Sequence, residues 1–80
     1  MPVTSQQQTS DKIVLRMKVI VAQLNESPES MSNRDRYALA VWAMENNALG
    51  LVSTKVSDRF IELVCPDYWQ CYIAGVRGEP

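Results

Sequence analysis

The sequence predicts an all-α domain of four short helices, with the last three arranged as a helix-turn-helix-like core. Three observations predict it. Apolar residues recur at helical spacing in four separate segments. Each segment opens on its own start signal: Ser10 or Asp11, Ser32, Ser53 or Thr54, and Pro66-Asp67. The chain also lacks the alternating β-branched runs of a sheet, so at most Leu51–Val52 or the tail supplies a short edge strand.

Residues 1–9 read as a flexible polar tail, and residues 10–80 as a single domain. The first helix covers about 10–25. Ile13, Met17, Ile20 and Leu24 step along one face, with Val14 and Val21 beside them. Leu15, Val19 and Ala22 form a second apolar stripe on the opposite side. A helix apolar on two sides needs cover on both: either it is sandwiched within the domain or it pairs with its copy, and a homodimer built on this helix is the favoured expectation. Pro28 then breaks the chain within a loop from Asn25 to Ser30.

Ser32, followed by Asp35 three residues later, resembles a capping box and opens a second helix to about Asn47. Its expected faces are Tyr37, Ala40, Val41, Met44 and Ala48 on one side, with Leu39 and Trp42 on another. Asn46-Asn47 and Gly50 supply the stop. The third helix is expected to place Val56, Phe60 and Leu63 inward, with Lys55, Asp58, Arg59 and Glu62 outward. Pro66 suits the first position of a fourth helix and Asp67 its positive end. Tyr68, Trp69, Tyr72, Ile73 and Val76 follow, ending near Gly75 to Gly78. The core of the domain is therefore 32–77.

Composition narrows the functions. Apolar residues make up 46% of the chain, a normal globular share, so disorder is expected only at the ends. A chain of 80 residues buries only about 60% of its extended surface, which leaves a lone copy marginally stable. Eight basic and nine acidic residues give a net charge of −1, which disfavours a purely electrostatic nucleic-acid binder. No signal peptide or membrane span is recognisable, so a cytoplasmic location is expected. Cys65 and Cys71 read as reduced core thiols. They are expected six residues apart in one helix, about 9 Å along its axis, beyond the usual disulfide limit of about 7 Å. With no histidine, a zinc site and a histidine-activated nucleophile are both disfavoured. The expectation is a protein that is not an enzyme and has no cofactor or small-molecule substrate.

Two registers of helix-turn-helix are open. In one, Trp42–Ala48 positions and Ser53–Leu63 reads, with Gly50 in the turn. Ser53, Thr54, Lys55, Ser57 and Arg59 then face a groove, with Arg36 and Arg77 on phosphates. In the other, Pro66–Arg77 is the presenting helix, and Tyr68, Trp69 and Tyr72 make a protein-docking face. Tyr37…Trp42, Val52-Ser53-x-Lys55-Val56-Ser57-x-Arg59-Phe60 and Tyr72-Ile73 together resemble the CaiF/GrlA-type transcriptional regulators of enteric bacteria, over residues 36–77. That resemblance implies a small accessory DNA-binding regulator of bacterial or mobile-element origin. The alternative expectation is a protein-interaction module, an inhibitor or adaptor, docking through the aromatic fourth helix.

Overall fold

The computed structural model describes residues 5–78 and contains four α-helices: α1 (Ser5–Glu26), α2 (Asn33–Ala48), α3 (Thr54–Val64) and α4 (Tyr68–Arg77). A 3-10 turn, Pro28–Ser30, sits in the first loop. No strand occurs among the described residues, so Leu51–Val52 is not a strand edge. No described helix is long and apolar enough to cross a membrane.

The central element is α2, which packs on α3 along one side and on α4 along another, while α1 lies against α3 and the 3-10 turn. The expected tail is partly helical, because α1 begins at Ser5 rather than after Ser10. Gln6, Gln7 and Gln8 are adequate helix formers, and no Pro or Gly interrupts them. Residues 1–4 of the expected tail lie outside the described residues. At 22 residues α1 is about 33 Å long, and it draws the molecule out to 46 × 26 × 18 Å.

One side of α1 behaves as its spacing predicts: Ile13, Met17, Ile20 and Leu24 are buried together in the core. The second stripe is bare, with Leu15 62% and Val19 59% exposed. Within one chain α1 is thus covered on one side only.

The caps explain the boundaries of the other helices. Ser32 Oγ accepts from the Asp35 amide at 3.1 Å, and Ser53 Oγ from the Val56 amide at 3.1 Å. Asp67 caps α4 by accepting from the Gln70 amide at 3.4 Å, so Pro66 lies one residue outside the helix rather than in its first turn. At the end of α2, Leu51 N donates to Asn46 O and Gly50 N to Asn47 O, both at 2.9 Å. This is the Schellman arrangement, and its C′ residue is Gly50 at φ +76°. Asn47 Nδ2 then donates to Val52 O at 3.0 Å and Thr54 Oγ1 at 3.2 Å, fastening the turn to the first residue of α3.

Two expected faces are corrected. In α2 the fully enclosed residues are Ala40 and Ala43, whereas Met44 and Ala48 are exposed. A helix held between two neighbours buries a row toward each. Tyr37 points to α4 and Trp42 to Phe60 of α3, and the two alanines allow close approach between them. In α3 the buried residues are Ser57, Phe60 and Val64. Val56 and Leu63, expected inward, are 38% and 40% exposed, because α1 does not close over them.

The cysteines do not share a helix. Cys65 is the cap residue just after α3 and Cys71 lies in α4, so a helical rise does not describe their separation. Both are free and buried. Burial first, then the neighbouring Cys71, pushes the Cys65 thiol up to about 12, against an opposing pull from Arg36. Such a thiol is not a nucleophile at neutral pH.

Candidate functional site

The chemistry-bearing residues fall on two surfaces, one at the start of α3 and one along α4. At the α3 end the fold brings together Ser53, Thr54, Lys55 and Arg59. Two of the four polar heads are already engaged in the fold: the Ser53 hydroxyl caps its own helix, and the Thr54 hydroxyl accepts from Asn47. Arg59 Nη1 lies 3.5 Å from Glu62 Oε2, an exposed pair one helical turn apart and of little energetic weight. Lys55 is exposed in the first turn. Asp58 and Glu62 share this face, so its two cations are matched by two carboxylates.

Arg36 is not part of that cluster. Its Nη1 donates to the main-chain oxygen of Val64 at 3.0 Å, and its Nη2 to that of Pro28. Val64 ends α3, and its carbonyl has no further helical turn to bond to, so Arg36 supplies the missing donor. The Cys65 thiol donates to Arg36 O at 3.3 Å, which closes the clasp from the other side. Arg36 therefore stands at the opposite end of α3 from Ser53, about 16 Å away along the helix. Arg77 is separate again, exposed in the last turn of α4, where a cation complements the helix dipole.

The α4 surface is better assembled. Tyr68, Trp69 and Tyr72 lie at spacings of three and four, which places them on one face. The Trp69 ring stacks on Tyr72 at 5.5 Å between centroids and 19° between planes. Tyr72 stacks on Tyr68 at 6.4 Å. From below, Tyr37 of α2 meets Tyr72 edge-on at 5.8 Å and Tyr68 at 6.3 Å. The four rings form one continuous set that is fixed at its base and open at its top. Trp69 is 62% exposed. Burial first, then the facing Tyr37, raises the Tyr68 hydroxyl above its ordinary 10, so at neutral pH it remains a neutral donor.

Sequence reasoning had the three outer rings but not Tyr37 as their support or Arg36 as a clasp. Tyr37 carried a weak signal, since an aromatic at the start of α2 and a glycine near the end of α4 are natural packing partners. Arg36 carried none, because its acceptors are main-chain atoms 8 and 28 residues away.

No set of three or more metal-ligating side chains clusters among the described residues. Compared with family models, with curated proteins and with solved structures, the chain finds no match in any of the three.

Proposed function

We propose that this protein is a non-enzymatic interaction module, an adaptor or inhibitor that docks on another protein through the aromatic face of α4. The observation that carries it is Trp69, largely exposed yet held by Tyr72 and, through it, by Tyr37 and Tyr68. A free tryptophan on a flexible surface would lose conformational entropy on binding, whereas one stacked on braced rings loses less. Preorganised Trp and Tyr clusters are the usual anchors of protein interfaces.

DNA binding by α3 is the second reading. Its support is the grouping of Ser53, Thr54, Lys55 and Arg59 within two turns, after a glycine-containing turn. Its weakness is electrostatic. Phosphate recognition draws on a surplus of cations, and Asp58 and Glu62 cancel Lys55 and Arg59 on that face. Arg36, the expected phosphate contact, is held by Val64 and Pro28.

Self-association through α1 belongs to the same proposal. Leu15 and Val19 need cover, and an antiparallel pairing centred on Val19 sets Lys12 of one copy opposite Glu26 of the other.

Fluorescence anisotropy on the gene's own upstream DNA at two salt concentrations, run beside partner capture from the native cell, separates the two readings. Salt-sensitive, sequence-specific binding lost in Lys55→Ala and Arg59→Ala supports the regulator. No DNA binding at low salt, with a captured protein lost in Trp69→Ala, supports the interaction module.

A further inference from the structure

Between α1 and α3 runs an apolar groove of about 560 Å³, on a different pair of helices from the aromatic face. Its floor is Met17 and Phe60, both buried. Its walls are Val14 and Val21 from α1 and Val56 and Leu63 from α3. Each wall pair is seven residues apart, two turns of its helix, so the groove offers two ridges at the spacing of a helix-packing seam. Lys18 rises from α1, and Lys55 and Arg59 from α3, along its rim. No carboxylate lines it; Asp58 and Glu62 lie on the outer face of α3, where Glu62 stands 3.5 Å from Arg59, so the charge of the rim rests chiefly on Lys18 and Lys55.

We infer that this groove receives an acidic amphipathic helix from a partner protein. The wall spacing selects a helix, which places apolar side chains at i, i+3 or i+4 and i+7 over two turns. The rim selects one flanked by Asp and Glu, whose carboxylates would meet Lys18 and Lys55 and compete with Glu62 for the exposed Arg59.

A second copy of this chain fits the groove poorly. Two grooves face to face would set three cations against three. The bare stripe of another α1, Leu15 and Val19, has its carboxylates Asp11 and Glu26 only toward its ends, while Lys12, Arg16 and Lys18 stand beside its middle and would repel the same rim. The exposed side of α4 has no acidic row, because Asp67 only begins the helix and Arg77 ends it. The occupant that complements the site is foreign and acidic. This surface is independent of the aromatic face, so either can fail without the other.

The test is a titration of the full chain with a labelled synthetic helix of about 14 residues, four turns long. It carries leucines at i, i+4 and i+7 with glutamates on both flanks, and a second peptide replaces every glutamate with lysine. The expected result is saturable binding of the acidic peptide at least about tenfold tighter than of the basic one, weakened about tenfold or more by Lys55→Glu with Arg59→Glu. All three rim residues are solvent-exposed, so the charge reversals leave the fold intact, which circular dichroism verifies. Trp69→Ala is expected to leave the affinity unchanged. Equal affinity for both peptides, insensitivity to charge reversal, or loss of binding in Trp69→Ala each overturns the assignment. So does a self-association that Leu63→Asp abolishes, because a second copy would then fill the groove.

Discussion

Gly75 lies so close beneath the ring of Tyr37 that a Cβ placed on it would fall 2.0 Å from Tyr37 Cδ2 and 2.6 Å from Cγ. Those atoms belong to the inner edge of a ring that is itself pressed against Tyr68 and Tyr72. In an ordinary helix Gly→Ala gains about 1 kcal/mol of propensity. Here overpacking, typically about 1–3 kcal/mol, opposes and exceeds that gain. Gly75→Ala is expected to lower the thermal midpoint and loosen the α4 rings, and adding Tyr37→Leu is expected to restore part of the loss. A Gly75→Ala variant more stable than the parent would mean that α4 does not sit on Tyr37 as described.

Arg36 leads to a second prediction, about stability rather than recognition. Its two carbonyl acceptors belong to separate segments, the loop after α1 and the end of α3. Arg36→Ala removes charge-assisted bonds of about 1.5–3 kcal/mol each and leaves Val64 O without its donor. Arg36→Lys is expected to recover little, because an ammonium lacks the planar fork that reaches both oxygens. Urea denaturation reads this directly. Midpoints unchanged in both variants would contradict the clasp.

These two contacts also mark where the sequence stops being informative. The Ile13, Met17, Ile20 and Leu24 row, the caps at Ser32 and Ser53 and the stop at Gly50 are local, set by spacing along a single helix, and they were legible. The buried faces of α2 were not, because the helix is buried from two directions and its apolar residues have no single face to reveal. Val56 and Leu63 have the spacing of core residues, and their exposure depends on how α1 crosses α3, a tertiary fact. The aromatic face was legible in its outer rings, since Tyr68, Trp69 and Tyr72 share one helix. The neighbourhood of Cys65 and Cys71 was not, because it depends on the break at Pro66-Asp67.

The thiols predict a pH dependence. In the folded chain Cys65 ionises only at about 12, against 9.0 ordinarily, with burial the first cause and Cys71 the second. The folded state therefore holds this proton more tightly than the unfolded state. The associated stability is complete below the ordinary value and is lost as pH rises through the folded one. The shift at Tyr68 has the same sign. Stability is expected to fall on the alkaline side of 9.0, less steeply in Cys65→Ala than in the parent. Parallel alkaline profiles for the two proteins would remove Cys65 as the cause.

The bare stripe of α1 predicts an oligomer. Sedimentation equilibrium is expected to find a dimer that Val19→Glu converts to a monomer, since the substitution places two carboxylates opposite each other at the centre of the pairing. A parent protein that remains monomeric at high micromolar concentration rules the pairing out.

The exposed indole is the account's central commitment, and partner capture with matched variants tests it most directly. Trp69→Ala removes a largely exposed ring together with its stack on Tyr72, of about 0.5–1.5 kcal/mol, so the thermal midpoint is expected to fall by several degrees while the fold is kept. Quantitative affinity purification from the native cell should then recover a stoichiometric protein with the parent that is lost with Trp69→Ala and retained with Lys55→Ala. An identical set of captured proteins for all three, or recovery of upstream DNA in a Lys55-dependent manner instead, would contradict it.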